Sequence, residues 1–160
     1  MPDFNWGLNV QLGYKNFDLS MFFQGVCGVD VYNNQKFQTD FWSITDAGSN
    51  KGNRLLGAWT EDNTSSKIPA LTTNNTGDEG RASTYFVEHG NWMKLRTLQL
   101  GYNFSDSLLK KLHMTSARVY VSGQNLFTWK SSSFTISDPE NPNWAYPHSS
   151  SVSFGLQLSF

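Results

Sequence analysis

The chain has 160 residues, enough for one domain, and aromatics make up 15% of it (12 Phe, 6 Tyr, 6 Trp). Charged residues are only 16%, below the roughly 25% of an ordinary soluble domain, and the net charge of −1 offers no basic field for nucleic acid. Cys27 is the sole cysteine, which excludes an internal disulfide, and no apolar run approaches the length of a membrane-spanning helix.

In chain order, the first predicted strand covers 5–14. Trp6, Leu8, Val10, Leu12 and Tyr14 alternate with Asn5, Gly7, Asn9, Gln11 and Gly13, the period of two that puts one apolar and one polar face on a strand. Lys15-Asn16 predicts a two-residue turn, with Asn16 suited to the left-handed backbone such turns require. A second strand over 17–25 carries Phe17, Leu19, Met21 and Phe23 on its apolar phase, with Phe22 breaking the polar one.

The segment 26–91 is rich in Asn, Thr, Ser, Gly and Asp and reads as a long loop, in which Phe37, Phe41 and Ile44 have helical spacing. A third strand spans 92–104, where Leu98, Leu100, Tyr102 and Phe104 oppose Thr97, Gln99, Gly101 and Asn103. Lys94 and Arg96 fall on its apolar phase, which predicts that this end lies beyond any hydrocarbon. Residues 105–114 form a short connector with one helical turn through Leu108, Leu109 and Leu112. A fourth strand, 117–128, loses its alternation around Asn125-Leu126-Phe127. The loop 130–150 contains Asp138-Pro139-Glu140-Asn141-Pro142, whose prolines argue against a strand. The last strand, 151–160, alternates without a break: Val152, Phe154, Leu156, Leu158 and Phe160 against Ser151, Ser153, Gly155, Gln157 and Ser159.

Short and long connections between these strands alternate strictly, as in membrane barrels, whose turns are short on one side and loops long on the other. Aromatic residues gather at the short-turn end (Tyr14, Phe17, Tyr102, Phe104, Phe160), where an interfacial girdle belongs. A ten-residue strand spans about 33 Å, or roughly 23 Å when tilted, close to the apolar band of an outer-membrane barrel. Leu8, Val10, Leu12, Leu98, Leu100, Val152 and Leu156 are then the lipid-facing set. The competing reading is a soluble carbohydrate-binding β-sandwich, and a lipocalin-like barrel would need about eight strands.

The run Ser83-Thr84-Tyr85-Phe86-Val87-Glu88-His89-Gly90-Asn91-Trp92-Met93-Lys94-Leu95-Arg96, the strand Arg118-Val119-Tyr120-Val121-Ser122-Gly123-Gln124-Asn125-Leu126-Phe127-Thr128, the Asp138-Pro139-Glu140 loop and the ending Gly155-Leu156-Gln157-Leu158-Ser159-Phe160 occur in that order. Together they resemble the SusC/RagA family of TonB-dependent outer-membrane transporters. The departure is Thr97, where the family pattern has Asn. The resemblance implies an all-β fold: about five C-terminal strands of an antiparallel transmembrane barrel of about 22 strands. It implies import of oligosaccharides or peptides with a SusD-like lipoprotein lid, energised by TonB through an N-terminal part that this sequence lacks. The chain carries no signal peptide, plug or TonB-contacting segment, so it reads as a fragment that is inactive alone, with Met1 inside a longer sequence.

The terminal residues Phe154, Leu158 and Phe160 suit a strand read by the barrel assembly machinery through strand addition. Trp42, Trp59, Trp129, Trp144 and Tyr146 lie in or beside the long loops and could stack on substrate or on the lid, although packing within the loops is the stronger expectation. His89, His113 and His148 lack ligand spacing, and Asp138, Glu140 and Asn141 lack that of a calcium loop, so no cofactor or metal is predicted. No nucleophile or phosphate-loop motif occurs, and no enzymatic activity is expected.

Overall fold

The computed structural model describes residues 1–42, 50–71, 81–141 and 146–160, with the Trp42 side chain left aside. Its main body is one antiparallel sheet of five strands: β1 (Phe4–Tyr14), β2 (Phe17–Cys27), β5 (Trp92–Asn103), β6 (Ser116–Lys130) and β7 (Ser151–Ser159), neighbours in that order. A small ribbon of β3 (Asp30–Tyr32) and β4 (Val87–His89) stands apart from it. Each long strand neighbours the next one along the chain, leaving the outer edges of β1 and β7 open among the described residues. This is a segment of barrel wall rather than a closed body.

Alternation dictates the two faces, and the register aligns them across all five strands. Leu8 pairs with Phe23, Leu12 with Leu19, Leu19 with Leu100, Leu100 with Val121, and Val121 with Phe154. One face is therefore apolar from edge to edge. Nothing among the described residues covers it, and Leu8 is 51% exposed, Leu12 58%, Phe154 84% and Leu156 60%. Val10 and Leu98 lie on the same face, half-buried between neighbours. Its aromatics form two bands. Phe17 and Tyr102 stack with centroids 4.8 Å apart at the turn end, and Phe127 and Trp129 stack 5.8 Å apart at the loop end.

Two local features depart from the sequence expectation. In the β1–β2 turn the positive φ belongs to Lys15 (53°), not to Asn16. Asn16 instead serves the end of β5: its Nδ2 donates to the Asn103 carbonyl at 2.7 Å, and its own carbonyl accepts the Asn103 N–H at 2.8 Å.

The second departure is larger. Phe22 pairs with Thr97 and Phe23 with Leu95, so Arg96 is an extra residue against β2. On the other side Leu95 pairs with Phe127 and Thr97 with Gln124, so Asn125 and Leu126 stand opposite Arg96. A β-bulge of this kind shifts the phase of the strand that carries it. Lys94 therefore joins the polar face, and Met93 and Leu95 take the apolar one; the expectation that Lys94 and Arg96 point outward beyond the hydrocarbon is corrected. The bulge also accounts for the broken alternation at 125–127. Asn125 is left-handed (φ 50°), a conformation that Asn tolerates better than most residues, and Leu126 folds over Gly123, where a Cβ would stand 2.6 Å from its Cδ1.

Most of the buried side chains lie at the loop end, with Leu109 and Ala117 buried at the turn end. Asn34–Phe37 forms a short helix α1, capped by Asn33 through a 2.8 Å bond from the Lys36 N–H, and it continues into the π-type turn Gln38–Trp42. Phe41, Leu55 and Phe86 form a core cluster with Phe37, Ile68 and Tyr85 against it. Of the expected loop helix, Phe37 and Phe41 are helical and Ile44 lies outside the described residues.

Candidate functional site

The polar face carries two charged networks, one at each end of the sheet. At the turn end, Asp18 of β2 holds Arg118 of β6, with Arg118 Nη2 2.5 Å from Asp18 Oδ2 and Nε 3.1 Å from Oδ1. Asn103 Nδ2 donates to the same Oδ1 at 3.0 Å, and Arg118 Nη1 reaches Gln157 Oε1 of β7 at 3.3 Å. The network ties four strands together. Gly101 makes room for it, since a Cβ there would stand 2.5 Å from Arg118 Nη2 and 2.6 Å from the Asp18 carboxylate.

At the loop end the centre is Lys94, whose side chain is only 2% exposed. Its Nζ lies 2.7 Å from Asp138 Oδ1 and 2.7 Å from Glu140 Oε2. Arg96, which the bulge places on this face, pairs with the other oxygen of Glu140 and reaches Gln24 at 2.9 Å and Asn125 at 3.3 Å. His148 approaches from beyond: its backbone N–H and its Nδ1 each lie 2.8 Å from Asp138 Oδ2. Burial raises the Asp138 carboxyl, but the His148 N–H, the Lys94 ammonium and the Glu140 N–H outweigh it and hold the group well below the usual carboxylate range. Glu140 is likewise lowered on balance: burial opposes it, and Lys94 and Arg96 prevail.

These bonds clamp the segment from Ser131 onward against the polar face. Lys130 Nζ donates to the Ile136 carbonyl, and Phe134 and Ile136 are buried. The same segment is stitched to the other long loop. Glu88 of β4 accepts the Thr135 N–H and the Thr135 hydroxyl, both at 2.8 Å, and Asn33 Nδ2 donates to that hydroxyl at 2.9 Å. Behind this knot the Asp40 carboxylate, fully buried, accepts from the Tyr85 hydroxyl at 2.9 Å. Burial and then Asp40 push the Tyr85 hydroxyl strongly upward. Lys36 Nζ sits 3.7 Å from the centroid of the Tyr85 ring, with burial lowering its own titration point. The described parts of the two long loops are thus bonded to each other and to the sheet.

Asp138, Glu140 and His148 bring potential ligand atoms within 4.8 Å of one another. Both carboxylates already face Lys94 Nζ at 2.7 Å, so a protein ammonium supplies the positive charge there.

Of the loop aromatics, Trp59 is 41% and Tyr146 95% exposed. Trp144 and the Trp42 side chain lie outside the described residues. Trp129 pairs with Met93 on the apolar face beside Phe127. On β7, Phe154 and Leu158 (45% exposed) share the apolar face, with Phe160 (87%) just beyond. The Lys94 network was missed in the sequence because its phase shift comes from the bulge. The Asn125-Leu126 break in alternation, opposite two charges, was the available clue.

No family model matches the chain. It is 31% identical over 178 residues to TonB-dependent receptor P3 of Formosa agariphila, covering 99% of this chain and 16% of that protein. To TonB-dependent receptor SusC of Bacteroides thetaiotaomicron it is 28% identical over 162 residues, covering 96% of this chain and 15% of SusC. Among solved structures, the RagAB peptide importer in its open-open state superposes with a TM-score of 0.79 at 28% identity, over 100% of this chain and 17% of that one. Its closed-closed state gives 0.78. The chain thus spans about one sixth of the relatives it matches. Over its whole length the chain is similar to the TonB-dependent receptors of the SusC and RagA kind, matching a segment of their barrel wall.

Proposed function

We propose that this chain supplies five adjacent strands to the barrel of an outer-membrane importer of oligosaccharides or peptides, which works with a SusD-like lipoprotein lid and draws energy from TonB. The observation that carries this reading is a single-layer sheet with one face apolar and uncovered among the described residues and the other laced with ion pairs, of which Lys94–Asp138 is buried. Leu8, Val10, Leu12, Leu98, Leu100, Val152 and Leu156 face lipid in this reading, and the polar face lines the aqueous lumen. A soluble carbohydrate-binding sandwich is disfavoured, because it needs a second layer over Leu12, Phe154 and Leu156, and the described residues provide none.

Five strands do not close a barrel, since known membrane barrels begin at about eight. Open strand edges in hydrocarbon leave backbone groups unsatisfied at several kcal/mol each. The segment alone therefore transports nothing, and β7 with Phe154, Leu158 and Phe160 offers an edge for the assembly machinery to pair with. Trp42, Trp59, Trp129, Trp144 and Tyr146 are the candidate contacts for substrate or lid in this reading. The test is uptake of labelled oligosaccharides and labelled peptides by cells carrying the full-length receptor, with and without the lipoprotein, beside liposomes given the 160-residue chain alone. Energy-dependent uptake of one class, lost without the lid and absent with the chain alone, supports the reading. Transport by the chain alone, or uptake of neither class by the receptor, refutes it.

A further inference from the structure

The apolar face is not uniformly flat. Near the turn end it holds a groove of about 270 Å³ lined by Phe17, Leu100, Tyr102, Val119, Val121 and Phe154. Aromatic rings form its walls: Phe17 stacks on Tyr102 on one side, and Phe154 pairs with Val121 on the other. The small side chains Val119 and Val121 form the floor. Its apolar lining suits a hydrocarbon chain, whereas water gains nothing there.

Tyr102 and Val119, a cross-strand pair in its lining, lie one residue from the end of β5 and three from the start of β6, on the side of the connector between these strands. The connector holds the helix α2 (Asp106–Lys111). Leu109 is buried, but Leu108 and Leu112, one turn apart, are 46% and 63% exposed. Lys110 and Lys111 lie between them, also exposed, and the helix has one acid, Asp106, at its opposite end. Apolar residues beside lysines at the rim of an apolar face match a bilayer interface: the leucines enter the acyl region and the ammonium groups meet headgroup phosphates.

We propose that this corner is a seat for one anionic phospholipid of the periplasmic leaflet, with an acyl chain in the groove and its phosphate against Lys110 and Lys111. The seat rests on the membrane reading of the sheet. Continuity with the apolar face and the charge of α2 select this occupant over a protein partner.

The experiment is native mass spectrometry of the full-length receptor in detergent, titrated with phosphatidylglycerol or with phosphatidylcholine of the same chain length. The wild-type receptor retains phosphatidylglycerol in preference. The Lys110→Ser/Lys111→Ser variant weakens that retention by roughly fivefold per lysine removed, the weight of a basic residue near an anionic surface, and leaves phosphatidylcholine unchanged. Val119→Trp fills the groove and lowers retention of both lipids. Equal retention of the two lipids by the wild type, or undiminished phosphatidylglycerol binding by the double lysine variant, overturns the inference. Heat-modifiable migration of the same samples separates the outcomes: a heat-modifiable receptor without lipid preference sinks the seat alone, whereas a receptor that is not heat-modifiable sinks the membrane reading and the seat with it.

Discussion

Replacing Lys94 by Met tests whether the loop-end clamp is held by charge. The ammonium makes two 2.7 Å contacts while 2% exposed, and its main partner, the Asp138 carboxylate, is 4% exposed. Removing one member of a buried pair costs about 3–5 kcal/mol, mostly because the other charge stays buried without a partner. Here the loss is cushioned. Asp138 keeps amide donors from His148 at 2.8 Å and from Glu140 at 3.1 Å, and Glu140 keeps Arg96. The low end, about 3 kcal/mol, is therefore expected, which raises the open population of the loop on the order of a hundredfold. Hydrogen exchange in the full-length receptor reads this directly, since local opening sets amide protection. The amides of Thr135 and Glu140 exchange about that much faster, while those of Val152–Leu156 do not change. Adding Asp138→Asn to the variant recovers part of the protection, because the stranded charge is gone. Unchanged exchange at Thr135 in the Lys94→Met receptor would refute the reasoning.

The remaining predictions concern the bulge and the acid range. Asn125→Val forces a β-branched residue into a left-handed backbone and costs about 1–2 kcal/mol in thermal or denaturant unfolding, whereas Asn125→Gly costs less; equal losses would remove the conformational argument. The carboxyls of Asp138 and Glu140 are lowered in the folded state, so their stabilisation is fully present above the unfolded values near 4 and is lost only as pH falls through the lower folded ones. Loop protection, corrected for intrinsic exchange, is therefore flat from pH 7.5 to 5 and falls below about 4; a drop centred between pH 5 and 7 would contradict it.

The sheet was legible in the sequence because period-two alternation is written locally. Each of the five long strands announces its faces through residues such as Val152, Phe154, Leu156 and Leu158, and one-residue errors in register would be visible as apolar residues on the wrong side. The loop-end site was not legible, because a bulge changes phase and its one local sign, the break in alternation at Asn125-Leu126, does not say which side chains it turns inward. Arg96 looks outward when counted from Leu98, and only the register of its neighbours against β2 and β6, with its contacts to Gln24 and Glu140, shows that it turns inward. Trp129 is a related case: it reads as a loop residue in the sequence, but β6 extends to Lys130 and includes it. The β3–β4 ribbon escaped for another reason. Strands of three residues hold too little alternation to detect, and their partners lie 55 or more residues apart in the chain. Asp138-Pro139-Glu140 stood out as a turn, but a turn sequence does not name its partners, and Lys94 lies more than forty residues away.

Nitroxide scanning of β7 tests the core of the account most directly. Labels placed singly from 152 to 159 in the full-length receptor in bilayers report collisions with oxygen, which concentrates in hydrocarbon, and with a water-soluble nickel chelate. The account predicts alternation: positions 152, 154, 156 and 158 meet oxygen, and 153, 157 and 159 meet the chelate, with 155 left unlabelled because the Tyr120 ring fills the space beside Gly155. Even-numbered positions shielded from both reagents would mean that Phe154 and Leu156 pack against protein, and the barrel-wall assignment would fail.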